Sequence, residues 1–278
     1  MNTADRCMET IRGIAKVLLL SRRPRIPKRT RGGRLIILAN GPSLRRTIDE
    51  NAAMLASEDT LAVNFAANAP EFKQLKPKFY VLADPHFFSG ADDDNLRLLW
   101  RRLSETDWGM TLAVPCRMRG KARRLLGDNS SVTLACFNDV GIEGFGPFCR
   151  FFFGIRLAMP RPRNVLIPSI MLGIWLGYAD IYIAGADHSW LQGLSVTEDN
   201  EVVSIQNHFY SENDKERTRI SHEYRGYRLH DIVDSMAVAF RSYHDIENFA
   251  RRRNVNIFNS TPASYIDAFR RKSLTGKR

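Results

Sequence analysis

Cysteine and long apolar runs are both scarce in this sequence. The chain of 278 residues contains four cysteines, Cys7, Cys116, Cys136 and Cys149. They form no Cys-x-x-Cys pair, and no histidine lies at zinc spacing from them, which argues against a disulfide scaffold or a zinc module and favours a reducing compartment. No apolar run approaches the roughly 20 residues that span a bilayer. The run near the N-terminus, residues 17–20, is too short for a signal peptide, so we do not expect a secreted protein.

Acidic residues are fewer than basic residues in the whole chain, but not in residues 35–269. The formal net charge is +11, with 44% hydrophobic and 26% charged residues, a composition typical of a globular protein. Residues 1–34 hold ten Lys or Arg against two acids, and residues 270–278 hold five Lys or Arg and no acid. The 235 residues between them carry 26 basic and 28 acidic side chains. A nucleic-acid-binding domain normally has a basic surface on its own elements, so we predict no nucleic-acid partner.

The N-terminal segment has the pattern of an amphipathic helix followed by a basic linker. Apolar residues recur at helical spacing from Met8 to Leu19, with Arg12 and Lys16 on the other face. Such an arrangement binds anionic membranes, each nearby Lys or Arg contributing about 1 kcal/mol. We expect residues 1–33 to form a membrane-associating arm that holds a cytoplasmic protein at the inner face of the plasma membrane. The alternative is a helix that packs on the domain or on a partner chain.

From residue 34 onward, short β-branched runs alternate with helical stretches, the pattern of a mostly parallel sheet covered by helices. We predict one Rossmann-like α/β domain over residues 34–278. The predicted strands are 35–39, 61–64, 79–83, 111–114, 132–135, 181–184 and 255–258. The predicted helices lie near 43–56, 92–106, 119–126, 168–177, 230–253 and 262–271. Two irregular regions, 136–167 and about 186–229, interrupt the alternation; loops of this length usually carry function, and we interpret the second as a lid.

Polar residues follow successive strands of the predicted sheet. They are Asn40, Gly41 and Ser43 after the first strand, Asn64 after the second, Asp84 after the third and Asp187 after the sixth. Ligands of open α/β sheets bind at these strand ends, so the residues predict a pocket for a polar ligand with amide, ribose and phosphate groups. Gly41 permits a tight turn, and Ser43 can cap a helix whose first amides favour an anion. The loop is neither a Walker A motif nor Gly-x-Gly-x-x-Gly.

Four segments carry a family resemblance. Residues 36–44, with Asn-Gly-Pro-Ser at their centre, resemble the opening motif of the single-domain bacterial sialyltransferases that use CMP-sialic acid. They are also similar to domains related to archaeal 6-hydroxymethylpterin diphosphokinases. Residues 62–64 and 80–85 resemble the next two strand ends of the sialyltransferases, and 168–187 resembles their helix, Leu-Gly-Tyr turn, strand and Gly-x-Asp ending. The likeness extends from about residue 35 to 270, with gaps in the two irregular regions.

The resemblance implies a GT-A-like variant of the Rossmann fold that works without a metal or another cofactor. Asn40 and Asn64 match the asparagines that hold the nucleotide, with Gly41 and Ser43 beside them. Asp84 stands where the family has an asparagine; a carboxylate there accepts hydrogen bonds from ribose hydroxyls but repels a phosphate.

The Arg-x-x-Ser-Gly turn that precedes the family's helix is not kept. The nearby residues are Arg161, Arg163, Asn164 and Ser169, of which Ser169 and one of the arginines, Arg163 among them, are the candidates for its role. Asp187 ends the matching strand. The run 92–94, Asp-Asp-Asp, superficially resembles the Asp-x-Asp of metal-dependent glycosyltransferases. Because this run opens a predicted helix, where acids are stabilised by the helix dipole, we predict no metal site.

The implied catalytic base is a histidine of the lid, just ahead of the last long helix, and His230 occupies that place. A helix N-terminus disfavours imidazolium, which keeps such a base neutral. The alternative is that His230 only caps the helix, and His208 and His222 are its rivals. The candidate phosphate contacts are Tyr210, Tyr224, Tyr227 and Arg163.

The resemblance, together with the Asn-Gly-Pro-Ser pocket and the basic arm, implies an inverting glycosyltransferase. It would move a sugar from a nucleotide-sugar, CMP-linked donors included, to a lipid-linked or surface-glycan acceptor. One alternative is ATP-dependent transfer like that of the pterin diphosphokinases, which would need Mg²⁺ near Asp84 and Asp187. Another is a non-catalytic membrane-surface protein. The sequence leaves the donor, the acceptor and the oligomeric state open, a homo-oligomer included.

Overall fold

A parallel sheet runs through the centre of the protein. The computed structural model describes residues 2–27, 32–90, 93–204 and 226–275. The strands are β1 Arg34–Leu38, β2 Asp59–Val63, β3 Phe79–Val81, β4 Met110–Pro115, β5 Val132–Phe137, β6 Asp180–Ala184, β7 Leu194–Val196, β8 Val202–Ser204, β9 Asn256–Asn259 and β10 Arg270–Arg271. Eight of them form one sheet in the order β10-β9-β6-β1-β2-β3-β4-β5, with every neighbouring pair parallel. Strands β7 and β8 form a separate antiparallel hairpin.

Helices cover both faces of this sheet. They are α1 Thr3–Leu20, α2 Ser43–Ser57, α3 Glu71–Leu75, α4 Asp94–Ser104, α5 Arg119–Leu126, α6 Gly146–Gly154, α7 Leu166–Leu176 and α8 Leu229–Arg251. One face packs on α6, α7 and α8, with every residue of α7 buried. The other face packs on α2, α4 and α5. Burial on both faces explains why the central strands read as uninterrupted apolar runs rather than alternating ones.

The strand order creates a crevice beside β1. Strands β2 to β5 follow one another on one side of β1, whereas β6 and β9 lie on its other side. The loops that leave β1 and β6 therefore diverge to opposite faces of the sheet. Such a topological switch point is where open α/β sheets bind their ligands.

Two predictions for secondary structure are wrong. Residues 262–271 form no helix; they make turns that end in β10. The Arg271 guanidinium donates hydrogen bonds to the carbonyls of Thr261, Ser264 and Ile266, at 3.1, 2.5 and 3.0 Å, which stabilises this irregular backbone. Helix α6 lies within the region predicted to be irregular, where a Gly-Pro start and a terminal glycine obscured a Phe-rich helix.

Helix α1 packs on the domain by a narrow face. Val17 is buried, and a Cβ added at Gly13 would lie 3.1 Å from Cε1 of Phe148, so the small residue permits the close approach. The Thr10 hydroxyl accepts a hydrogen bond from the Phe145 N–H at 3.1 Å. The exposed apolar side chains of α1 are Met8, Ile11, Ile14, Leu18, Leu19 and Leu20. Within the described ranges, every helix is too short or too polar to cross a membrane.

Candidate functional site

A cavity of about 1470 Å³ opens at the carboxyl ends of β1, β2, β3 and β6. Its wall is completed by residues 161–168, which lead into α7, and by the first turns of α8. The cavity brings together the following predicted site residues: Asn40, Gly41, Asn64, Asp84, Arg163, Asp187 and Tyr227. The crevice beside β1 is therefore a wide polar site.

Asn40 provides a buried acceptor at the floor of the cavity. The side chain follows β1 and is 8% exposed. Its Oδ1 atom has no hydrogen-bond partner within the described part of the chain. An unpaired buried acceptor costs about 1–3 kcal/mol, and buried polar groups in proteins are normally paired. A ligand with an N–H or O–H group would satisfy this oxygen.

The start of α2 already holds an anion, supplied by the protein itself. The Asp187 Oδ2 atom accepts hydrogen bonds from the Ser43 hydroxyl at 2.8 Å and from the Ser43 N–H at 3.4 Å. Pro42, not Ser43, is the N-cap residue, so the predicted cap is wrong. A Cβ added at Gly41 would lie 1.9 Å from the same carboxylate oxygen, which explains the glycine. Asp187 thus occupies the N-terminus of α2, where the sequence had predicted an anionic group of the ligand.

Asn64 has a left-handed backbone, with φ of 52°, a conformation that is rare outside glycine and recurs at functional sites. The Tyr80 hydroxyl donates to the Asn64 carbonyl at 2.5 Å and accepts from the Ala67 N–H at 2.8 Å. Because Tyr80 is fully buried in β3, it fixes the turn that directs Asn64 to the cavity.

Asp84 caps a short turn. Its carboxylate accepts a hydrogen bond from the His86 N–H at 2.8 Å, at the start of a 3-10 turn over Pro85–Phe88. Asp93 caps α4 in the same way, accepting from the Asn95 N–H at 2.8 Å. Among the residues described here, no three His, Cys, Asp or Glu side chains lie close enough together to hold a metal ion.

Ser169 does not reach the cavity. It is fully buried in α7, and its hydroxyl donates to the Val165 carbonyl one turn earlier at 2.7 Å. Arg163, which precedes α7, is exposed and lines the cavity. A serine within an apolar helix commonly makes this i−4 hydrogen bond, a signal that the sequence already contained.

His188 and Asn164 of the cavity wall form a hydrogen-bonded row with Tyr243, which is fully buried behind them. Leu166 N–H and the Tyr243 hydroxyl both donate to Asn164 Oδ1, at 3.0 and 3.1 Å. The Tyr243 oxygen also lies 2.5 Å from His188 Nε2, and while the hydroxyl donates to Asn164 it accepts from the Nε2–H group of the histidine. Sequence reasoning missed this row because its members come from three separate segments.

The His188 ring is held in its neutral form. It stacks on Trp190 with ring centroids 4.1 Å apart, and Phe240 and Tyr243 enclose it. This burial lowers the pKa of His188 to about 3 and raises the pKa of Tyr243. A base of such low pKa is weak, so His188 suits hydrogen bonding better than proton abstraction.

His230, the first choice among the predicted catalytic histidines, does not line this cavity. His230 lies in the first turn of α8 with its side chain 76% exposed and its Nε2 atom 3.4 Å from Asp231 Oδ1. The N-cap of α8 is Arg228, whose N–H donates to the Asp231 carboxylate at 3.1 Å. His208, His222, Tyr210 and Tyr224 lie outside the described residues.

Arginines line the side of the cavity that faces α1 and α8. Arg117 pairs with Asp139 at 2.6 Å, and Arg161 pairs with Glu143 at 3.0 Å. Burial raises the pKa of Asp139, although the Arg117 charge opposes that shift. Arg163 and Arg241 complete the set. These guanidinium groups suit a ligand that carries phosphate or carboxylate.

Comparison with known proteins identifies the fold. No family model matches the sequence, and no curated protein matches it. The structure of MAf glycosyltransferase from Magnetospirillum magneticum AMB-1 is similar, with a TM-score of 0.52 at 15% sequence identity. The match covers 100% of this chain, which spans 39% of that protein's chain. The protein therefore has a mostly parallel, Rossmann-like α/β fold that is also found within a larger glycosyltransferase.

Proposed function

We propose that the protein is a glycosyltransferase whose nucleotide-sugar donor binds in the cavity beside β1. The observation that carries this proposal is the unpartnered Asn40 Oδ1 at the topological switch point. It fits an exocyclic amine or a ribose hydroxyl of a nucleotide, and Asn64 and Asp84 lie at the neighbouring strand ends. The fold likeness to a protein named as a glycosyltransferase agrees with this function.

The size of the cavity supports a reaction between two substrates. Ligand pockets typically measure about 300–1,000 Å³, whereas this cavity measures about 1470 Å³. It has room for a nucleotide-sugar and for the end of an acceptor. The arginines of its wall would neutralise the negative charge that develops on the leaving nucleotide phosphate.

The proposed chemistry is a direct, inverting displacement without a metal. A histidine takes the proton of an acceptor hydroxyl, and the hydroxyl oxygen bonds to the anomeric carbon of the sugar. The bond from that carbon to the phosphate oxygen breaks, and its electron pair leaves with the nucleotide. We keep His230 as the proposed base because it lies in the first turn of the helix that borders the cavity. His208 and His222 are the alternative candidates for the base.

Ligand binding and turnover test this function. Thermal unfolding is measured with CMP, UMP, GMP and ATP, since a ligand raises stability by RT ln(1 + [L]/Kd), and hydrolysis is measured with CMP-, UDP- and GDP-sugars. We expect one nucleotide to stabilise the protein and its sugar conjugate to be hydrolysed. Asn40→Ala should weaken that binding by about tenfold, the value of one hydrogen bond. Asn256→Ala, at the opposite end of the sheet beside Asp180, is the matched control.

The alternative functions predict different results of these binding and turnover measurements. No binding and no turnover with any of these compounds would refute the proposal. Binding of ATP that requires Mg²⁺, with no hydrolysis of nucleotide-sugars, would favour a diphosphokinase-like transfer instead. Nucleotide binding without turnover of any donor would favour a non-catalytic protein.

We also propose that α1 holds the protein at an anionic membrane, at the cytoplasmic face. Leu18, Leu19 and Ile11 are 78%, 81% and 67% exposed, and the segment that follows α1 is rich in arginine. The triple substitution Ile11→Ser, Leu18→Ser, Leu19→Ser keeps the packing face with Val17 intact. It should move the protein from sedimenting phosphatidylglycerol vesicles to the supernatant, and unchanged sedimentation would contradict the proposal.

A further inference from the structure

A second, smaller cavity connects α1 to the large one. It has a volume of about 390 Å³ and lies between the end of α1, residues 138–141 and residues 161–163. The two cavities share the following lining residues: Arg117, Asp139, Arg161, Pro162 and Arg163. We call the smaller cavity the arm groove; its own wall adds Lys16, Leu19, Leu20 and Arg22. The arm groove thus leads from the exposed end of α1 into the proposed donor site.

The wall of the arm groove that α1 provides is held firmly on the domain. The Ser21 hydroxyl donates to the Leu157 carbonyl at 2.7 Å. Asn138, which is 2% exposed, accepts from the Arg22 N–H and donates to the Arg22 carbonyl, both at 2.8 Å. Arg25 and Cys136 exchange two backbone hydrogen bonds of 2.9 and 2.8 Å. These contacts use the backbone of Arg22 and leave its guanidinium to the groove.

The arm groove has an excess of positive charge. Arg117 and Arg161 are paired with Asp139 and Glu143. Lys16, Arg22 and Arg163, the other three cations of its lining, have no carboxylate within ion-pair distance in the described part of the protein. Three cations around one small concavity suit a phosphate or diphosphate group, which offers several oxygens to guanidinium and ammonium donors.

One end of the arm groove is apolar. Leu19 and Leu20 line it and are 81% and 61% exposed. Leu19 is continuous with the exposed apolar side of α1, which includes Leu18 and Ile11. A hydrocarbon chain that leaves the groove past Leu19 would therefore cover this apolar surface and remove it from water, which favours binding.

We propose that the arm groove binds the phosphate-bearing end of a lipid-linked acceptor. The phosphate lies among Lys16, Arg22 and Arg163, the hydrocarbon chain leaves past Leu19 and Leu20, and the group to be glycosylated enters the large cavity. This inference rests on the proposed glycosyltransferase function, to which it adds the chemical class and the binding site of the acceptor.

Binding of a simple alkyl phosphate tests the arm groove directly. The probe is dodecyl phosphate below its micelle concentration, compared by calorimetry with inorganic phosphate and with dodecyl maltoside on the full chain. The wild type should bind dodecyl phosphate at least about tenfold more tightly than either comparison compound, a difference that one buried charged contact or a few methylenes supply. The double substitution Lys16→Gln, Arg22→Gln should remove this preference. Leu19→Ser, Leu20→Ser should weaken binding of dodecyl phosphate while leaving that of inorganic phosphate unchanged.

The matched control is Arg123→Gln, Arg124→Gln on α5, two exposed cations outside both cavities. It should bind dodecyl phosphate like the wild type. Equal affinity for dodecyl phosphate in the control and in the Lys16→Gln, Arg22→Gln protein would overturn the proposal. So would binding to phosphatidylglycerol vesicles without binding to monomeric dodecyl phosphate, which would indicate a membrane surface only.

Nucleotide binding, measured on the same proteins, separates this inference from the proposed function. Nucleotide affinity that persists while dodecyl phosphate fails to bind would overturn the arm groove alone. If the wild-type protein binds neither a nucleotide nor dodecyl phosphate, the proposed donor site is refuted as well.

Discussion

The low pKa of His188, a half-buried residue of the cavity wall, leads to a quantitative prediction about stability and pH. Burial lowers the pKa of His188 from 6.5 to about 3 in the folded protein, whereas in the unfolded chain the group keeps its ordinary value. Between these two values the unfolded state binds more protons than the folded state, so stability falls as the pH falls from about 6.5 towards 3. At pH 5 this histidine alone should lower the free energy of unfolding by about 2 kcal/mol relative to pH 7.5, at 1.36 kcal/mol per pH unit.

The substitution His188→Asn isolates this contribution. Urea unfolding is measured for both proteins at pH 7.5 and pH 5. The variant is expected to be less stable at pH 7.5, because it loses the hydrogen bond to Tyr243 and the stack on Trp190. The difference in free energy of unfolding between the wild type and the variant should be about 2 kcal/mol smaller at pH 5, since only the wild type is destabilised by protonation of His188 in the unfolded state.

Tyr243→Phe is the matched control. It removes the hydroxyl that contacts His188 but leaves the histidine enclosed by Trp190 and Phe240, so its stability deficit relative to the wild type should depend much less on pH. A stability deficit of His188→Asn that is the same at both pH values would refute a histidine held in its neutral form. So would an equal change in the two variants.

Three further substitutions test the two loops beside the cavity and the proposed catalytic base. Gly41→Ala places a methyl group 1.9 Å from the Asp187 carboxylate; it should cost about 1–3 kcal/mol in urea unfolding and weaken nucleotide binding, and unchanged values would contradict the close contact. Tyr80→Phe removes the hydroxyl that ties Asn64 to Ala67; a loss of about 1–3 kcal/mol is expected, and no loss would show that the turn holds without it. His230→Asn should lower kcat with the cognate donor by about 10²–10⁴-fold, while His244→Asn, exposed elsewhere on α8, serves as the control; an unchanged kcat would assign the base to another residue.

The strand pattern made most of the sheet predictable. Strands such as β1 and β6 are buried on both faces, and that burial requires uninterrupted apolar runs that stand out between polar segments. The position of the polar residues that follow these strands was also predictable. The carboxyl ends of parallel strands lie at one edge of the sheet, where ligands bind, whatever the order of the strands. Asn40, Asn64 and Asp84 therefore line one cavity, as the sequence indicated.

Segments whose backbone is fixed by specific side-chain hydrogen bonds were not predictable. Residues 262–271 include two alanines and two arginines, which favour a helix, yet hydrogen bonds from Arg271 and a hydrogen bond from the Ser264 hydroxyl to the Ala186 carbonyl, at 2.6 Å, hold the segment in turns. Periodicity reports only which face of a segment is apolar. It carries no information on a partner that lies 78 residues away in the chain.

The sequence by itself determined the class of fold, the edge of the sheet that carries the large cavity and the amphipathic character of the N-terminal segment, because each follows from local periodicity and composition. Only the tertiary structure decided which residues meet. It brings Asp187 to Ser43 across 144 residues and His188 to Tyr243 across 55, and it docks α1 beside the cavity to form the arm groove. These pairings arise from the strand order and the packing of helices on the sheet, which only the folded chain specifies.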